Sequence, residues 1–175
     1  MSFKRLSKPE RWIVVGIPLI FIMGSLGHFI YEWSGKNLLL ALFFPVNESV
    51  WEHIKLGNIP IILWWGFYYF INSRKYNLDK DKWFTAELAA LAVSMITTPA
   101  LYYLYTGAFG AENLIVDILI FFLAILFAQL LGLHFYRYYK GINSGIVIVI
   151  NILIILIFVI FTIYPPNLPI FISSN

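Results

Sequence analysis

The sequence predicts an all-α, polytopic membrane helix bundle: five transmembrane helices plus one short re-entrant or interfacial helix, with the N-terminus in and the C-terminus out. Three observations carry this. Of 175 residues, 61% are apolar and only 12% charged, where a soluble domain has roughly 25% charged residues. The mean hydropathy is +0.81. The apolar residues are collected into five runs near the ~20 residues that a ~30 Å hydrocarbon core requires, separated by loops that carry most of the Lys and Arg.

The first run, Trp12 to Tyr31, follows Lys4, Arg5, Lys8 and Arg11. A basic flank also marks a signal peptide, but an apolar stretch of this length exceeds the ~7–15 residues of a signal-peptide core, so a retained helix is expected. Leu38 to Phe44 is too short to cross and ends at Pro45, which makes it the re-entrant or interfacial element. Ile54 to Ile71 is the second span, followed by the polar loop Asn72 to Lys82 with Arg74, Lys75, Lys80 and Lys82. Trp83 to Leu104 is the third, and Thr97-Thr98-Pro99 predicts a kink in it. A threonine hydroxyl is expected to serve the carbonyl of Met95 that Pro99 leaves free. Leu114 to Phe135 is the fourth, ahead of Arg137 and Lys140, and Ile146 to Tyr164 is the fifth. The ending PPNLPIFISSN has three prolines and bars a sixth helix.

Ten of the twelve Lys and Arg fall on alternate loops, and only Lys36 and Lys55 lie opposite. Positive charge on one side marks that side as cytoplasmic. The pI of 9.1 is therefore an orientation signal, and no nucleic-acid partner is expected. Trp12, Trp33, Trp51 and Trp83 lie near span ends, as an aromatic belt requires. There is no cysteine, which excludes disulfides, thiolate catalysis and Cys-ligated metals. The whole chain, 1–175, reads as one transmembrane domain in the cell membrane, with the bilayer as its main partner.

Five of nine acids (Glu32, Glu48, Glu52, Glu112, Asp117) and two of three histidines (His28, His53) share the outer level. Carboxylates contribute little to topology, so orientation does not require them there. On a helix His28 and Glu32 share a face with Gly24, and glycine lets a second helix approach closely. Glu48 and Glu52, read as i,i+4, put two carboxylates on one face, which calls for a cation between them or a raised pKa. His53 points about 100° from Glu52, so the two do not serve one ion. The re-entrant run would fold Asn47 and Glu48 back toward His28 and Asp117. The predicted pocket is thus His28, Glu32, Asn47, Glu48, Glu52, His53 and Asp117, with His28, Glu32 and Glu48 as candidate ligands of a divalent cation. Glu87, Ser94, Thr98 and Tyr105 recur at spacings of seven, four and seven, a stripe that could continue inward as a path.

Structural roles compete with each of these. Ser49-x-x-Glu52 fits a capping box, and Lys55 can neutralise the Glu48/Glu52 face. His28 can pair with Glu32, and Glu87, His134 and Arg137 with one another. Glu112 and Asp117 suit a helix N-terminus. Gln129 and Asn151 are expected to hydrogen-bond across the fourth and fifth helices.

The run GHFIYEWSG (Gly27 to Gly35), the run FPVNESVWEHIKL (Phe44 to Leu56) and the ending FTIYPPNLPIF (Phe161 to Phe171) together resemble the signature of a family of uncharacterised prokaryotic multi-pass membrane proteins, a domain of unknown function. The resemblance spans the chain and implies a helix bundle with no known activity. It also implies a short acidic continuation where this chain ends ISSN. A fainter likeness is to ceramidase-like membrane hydrolases, in which Ser49, His53, His28 and Asp117 would play the zinc-site parts. The paired histidines one turn apart are missing, and His134 lies on the other side.

Two classes of function follow, with a third as background. One is binding of a cation or small polar solute, transport-like, along the stripe toward Glu87 and as a homodimer. The other is an intramembrane hydrolase, metal-dependent or Ser49/His53, acting on a lipid or lipid-linked substrate. No H-E-x-x-H or G-x-S-x-G occurs to decide it. The third is an accessory subunit without chemistry. A polar path below the pocket would favour transport. A pocket closed beneath and open sideways would favour hydrolysis.

Overall fold

A computed structural model describes residues 6–173. Lys4 and Arg5 of the first basic cluster, and Ser174 and Asn175 of the ISSN ending, lie outside the described residues. The elements are α1 (Lys8–Trp33), α2 (Leu38–Ala41), α3 (Val50–Asn72), α4 (Lys80–Phe109), α5 (Leu114–Tyr138), α6 (Ser144–Ile163) and a closing 3-10 turn, Pro169–Phe171.

The helix starts are written in the sequence. Ser7 caps α1 in a full capping box with Glu10, Asp79 accepts from the Lys82 N–H at 3.0 Å, and Asn113 and Asn143 cap α5 and α6. Each supplies an acceptor to an N–H that the first turn leaves without one. Gly110 ends α4 at φ 65°, in the left-handed region.

Four helices are long and apolar enough to cross a membrane by length and composition: α1, α4, α5 and α6. The fifth expected span, α3, has 23 residues but is not among them. Its first three turns carry Glu52, His53, Lys55 and Asn58, which lower its hydropathy. It compensates by position. Trp51, Ile54, Ile61, Trp65 and Tyr68 are buried, and α3 packs between α1 and α4.

The helices alternate in direction. At one end Arg137 pairs with Glu10 at 2.5 Å. There too Ser144 N–H donates to Asp81 (2.8 Å) and Ile142 N–H to Thr85 (2.9 Å). Lys8, Arg11, Arg74, Lys75, Lys80, Lys82, Arg137 and Lys140 gather there, and we call it the basic end. At the opposite, carboxylate end, Tyr102 meets Glu112, and Tyr105 meets Asp117.

Between the two ends the surface is apolar, and several polar groups are buried beside an apolar core. Along α6, Ile146, Val149, Ile152, Leu153, Leu156 and Ile160 are exposed, while Asn151 is buried on the other side. Glu87, Asn58, Ser94 and Gln129 are buried too. This distribution suits lipid as the solvent, since contiguous apolar surface of this extent is not tolerated in water. Two belt residues are corrected. Trp83 is in the core, donating to the Trp65 carbonyl at 3.1 Å, and Trp51 packs on Phe158, Phe161 and Phe171. An indole near a helix end fills a bundle as readily as it anchors at an interface, provided its N–H or its faces find partners. Trp12 is also tied inward. It stacks on Trp64 at 4.0 Å, and each indole N–H donates to the other's carbonyl at 3.2 Å.

Glu87 bonds neither His134 nor Arg137. Both its oxygens accept from Asn151 Nδ2, at 3.0 and 2.8 Å. The expected Gln129–Asn151 bond is therefore absent, because the carboxylate is the stronger acceptor for that amide. Among the described residues, neither polar atom of the Gln129 side chain has a hydrogen-bond partner. At Pro99, α4 continues without a break, and the Thr98 hydroxyl donates to Ser94 O at 3.0 Å, one residue before the carbonyl that proline frees.

Gly141 sets the α5–α6 connection at the basic end. Its φ is 91°, and a Cβ there would lie 2.5 Å from the Asp81 backbone. Gly141→Ala should therefore lower the melting temperature in detergent, at a cost of about 1–3 kcal/mol. A wild-type melting curve would contradict this.

Candidate functional site

The segment 41–55 builds two different charge arrangements back to back, and its local structure explains the division. α3 begins at Val50, with Ser49 as its N-cap. Glu48 therefore precedes the helix, and the expected i,i+4 face shared by Glu48 and Glu52 does not form. Glu52 turns into the bundle and Glu48 turns out of it.

The inward arrangement is a closed clasp. Lys55 Nζ lies 2.6 Å from Glu52 Oε2, with both side chains buried. The ammonium also donates to Ala41 O (3.1 Å), Phe44 O (3.2 Å) and Thr162 Oγ1 (2.9 Å). Thr162 donates in turn to Glu52 Oε1 (3.0 Å), and Val46 N–H donates to Glu52 Oε2 (3.1 Å). A buried pair is tolerable only when further hydrogen bonds satisfy both ions, as these do. The clasp ties the C-terminal end of α2 and its following loop to α3 and α6. Ser49 makes only half of the predicted capping box. Its Oγ accepts from Glu52 N–H at 3.3 Å, but the Glu52 carboxylate serves Val46 and Lys55 instead.

The outward arrangement is a group of three. His28 Nε2 lies 3.3 Å and His53 Nε2 3.5 Å from the same Glu48 oxygen, Oε2. The two imidazole centroids are 5.4 Å apart. One ligand atom from each residue lies within 4.8 Å of the other two. His53 Nδ1 is 2.9 Å from the Ser49 carbonyl. A carbonyl only accepts, so Nδ1 carries the proton, and in neutral His53 the Nε2 presents a lone pair. That lone pair faces a carboxylate oxygen. Two acceptors at this separation repel unless a positive charge, a proton or a metal ion, sits with them.

The other predicted residues are placed as follows. Glu32 meets Lys36 at 3.6 Å, not His28, and both are largely exposed. Lys36 is brought round by the turn after α1, with φ 62°. Asn47 accepts from Ser49 N–H at 2.9 Å and shapes the loop; it lines a small cavity with Glu32 and Glu48. Asp117 accepts from the Tyr105 hydroxyl at 2.5 Å. It stands across a larger cavity of about 380 Å³ whose wall is mostly apolar and includes His28, Glu48, His53, Thr98 and Asp117. Of the expected path, Thr98 reaches this cavity, whereas Ser94 and Glu87 are buried in the bundle and form no part of its wall.

The C-terminal segment reaches the same loop. Ser173 forms an antiparallel bridge with Ser49, and the Phe171 ring lies 5.0 Å from Trp51. Ser49 is thus the N-cap of α3, the carbonyl partner of His53, the neighbour of Glu48 and the partner of the tail. Residue type gave no sign of the tail contact. The run of prolines that stops α6 at Ile163 is the only sequence feature that turns the chain back toward α3.

A profile of a family of unknown function, DUF6512, matches residues 1–175. The chain belongs to this family. No curated protein and no solved structure matches it. Membership in DUF6512 agrees with the expected family of unknown function spanning the chain and assigns no chemistry. The site must be read from its own geometry.

Proposed function

We propose that this protein is a five-span protein of the cell membrane, N-terminus in and C-terminus out, that binds one divalent transition-metal ion near the outer leaflet through His28, Glu48 and His53. The orientation rests on the basic end, whose Lys and Arg would face the cytoplasm. α3 would be the fifth span, packed against α1 and α4 on one side and presenting Leu63, Phe67 and Phe70 to the surroundings on the other. The carboxylate end, with the candidate site, would then lie outside.

The observation that carries the metal reading is the pair of separations from His28 and His53 to a shared Glu48 oxygen, 3.3 and 3.5 Å. Ligands in a tetrahedral zinc shell with bonds near 2.1 Å stand roughly 3.4 Å apart. The bond from His53 Nδ1 to a backbone carbonyl is the orienting contact that metal-bound histidines usually make. Two imidazoles and one carboxylate favour zinc or manganese over calcium or magnesium. Transport is less well supported than binding, because the cavity wall stops at Thr98.

Metal analysis of the purified protein after zinc loading tests this. The wild type should take up about one ion per chain. His28→Ala and His53→Ala should abolish stoichiometric uptake, and Glu48→Gln should weaken it. Glu32→Gln should leave it unchanged, since Glu32 faces Lys36. Uptake that survives both histidine changes would overturn the assignment, and His53 would then be held against Glu48 by protonation alone.

A second reading, hydrolysis of a lipid-linked substrate, is favoured by one observation: the three residues line a mostly apolar cavity. Three protein ligands with an open position toward substrate is the catalytic pattern for zinc, which lowers the pKa of bound water. Release of product from a lipid ester by wild type, absent in His53→Ala, is its test.

A further inference from the structure

We infer that the cavity between α1 and α5 holds an acyl chain that enters sideways from the bilayer, its polar head at the rim formed by His28, Glu48 and His53. The chain site rests on the cavity alone. Only the nature of the head, an oxyanion such as a carboxylate or phosphate, rests on the metal reading above.

The cavity, about 380 Å³, falls within the ~300–1,000 Å³ of small-molecule sites. Its wall is graded along the helix axes. The polar groups His28, Glu48, His53 and Asp117 stand toward the carboxylate end. One to two turns deeper the wall is Leu56, Ile120 and Phe121, with Ser25 and Thr98 as its only hydroxyls at that level. The Thr98 hydroxyl is already spent on the Ser94 carbonyl. A small hydrated solute would find at that depth only the Ser25 hydroxyl and the lone pairs of Thr98, few for water that needs two to four polar partners. A hydrocarbon tail needs none.

The floor is closed and one side is open. A Cβ on Gly24 would lie 2.5 Å from both the Leu56 carbonyl and the Phe121 ring, so α1, α3 and α5 meet directly there. A Cβ on Gly57 would lie 2.7 Å from Ser94 Oγ, which brings α3 onto α4 at a similar depth. At the side, the lining residues Phe29 on α1 and Leu114 and Ile118 on α5 are exposed to the surroundings, at 50%, 74% and 50%. These three lie on the face that the apolar surface assigns to lipid. An opening bordered by apolar side chains at that face admits an acyl chain without desolvating any polar group.

The rim selects the head. Glu48 and Asp117 line it with carboxylates; Tyr105 already donates to Asp117, and the lining residue Tyr102 donates outward to Glu112. Without a cation this rim repels an oxyanion. With a divalent ion on His28, Glu48 and His53, an open coordination position attracts one.

Photolabelling in detergent tests both parts, with two probes that carry a diazirine in a sixteen-carbon chain: a carboxylic acid and the corresponding alcohol. Both should label Ser25, Ile118 and Phe121 well above the lipid-facing Leu153 and Leu156 of α6. Ile118→Trp, which plugs the side opening from an exposed position, should cut labelling of Phe121 roughly tenfold, the equivalent of about two methylenes kept out of the cavity. Ser25→Phe, from the opposite wall, should do the same. Zinc should raise labelling by the acid and not by the alcohol, and His28→Ala should remove that rise while the alcohol still labels. Labelling by both probes that ignores zinc supports the chain site and counts against the metal-held head alone. Phe121 labelled no more than the α6 face, or labelled as strongly in both plugged variants as in the wild type, overturns the proposal.

Discussion

Lys55→Ala is expected to destabilise the protein by about 3–5 kcal/mol, the range for removing one partner of a buried ion pair. The size follows from what is left behind. Glu52 would keep one hydrogen bond from Val46 and one from Thr162 but lose its only cation at the site. The carbonyls of Ala41 and Phe44 would lose their donor. Chemical denaturation in mixed micelles should show the loss. The double change Glu52→Leu with Lys55→Met removes both charges and should recover part of it, since a buried pair is often no more stabilising than apolar residues of similar volume. Recovery should be incomplete, because the loop carbonyls and the Val46 N–H still lack partners. The single variant should also bind zinc more weakly, as the loop that the clasp holds leads directly into Glu48. A Lys55→Ala protein as stable as wild type would mean that the clasp is not formed.

Gly24→Val has the second largest expected effect. Even a lone Cβ would stand 2.5 Å from the Leu56 carbonyl on α3, and backbone cannot swing aside as the Phe121 ring can. Valine adds two methyls to that clash. α1 must then move off α3, at a cost of about 1–3 kcal/mol for overpacking. His28 is one turn beyond Gly24 and moves with it, away from His53. The measurement is paired: a lower melting temperature together with lost zinc binding. Gly107→Val is the control, because nothing lies within 4 Å of a Cβ there. Equal melting temperatures for the two variants would contradict the close approach.

Much of the fold was legible because bilayer physics acts on short windows of sequence. The runs that became α1, α4, α5 and α6 are long and apolar, and their caps Ser7, Asp79, Asn113 and Asn143 are residues that compete for backbone N–H groups. α3 was legible as a helix but less so as a span, since half of its polar content serves the clasp. In the site, the gathering of His28, Glu48 and His53 was partly readable from their shared level. The partition of the two glutamates was readable only through the Ser49-x-x-Glu52 capping box. It depended on where α3 starts: reading Ser49 as the N-cap puts Glu48 outside the helix, and the face argument for Glu48 and Glu52 then lapses. The fate of Lys55 was readable only as one of two options, because the deciding partners, Ala41, Phe44 and Thr162, are brought in by packing of distant segments. Asn151 choosing Glu87 over Gln129 is of the same kind, a competition between acceptors in which packing brings the stronger one, a carboxylate from α4, within reach.

The bridge between Ser173 and Ser49 makes the choice of affinity handle consequential. A bulky fusion on the C-terminal side would tug on the Ser173 bridge that touches the cap of α3, and through Ser49 on the imidazole of His53. A preparation made that way could come out empty of zinc for a reason that has nothing to do with its ligands. α1 starts at Lys8, at the basic end and about 30 Å of helix away from His28, so a handle joined on that side is the safer way to hold the molecule.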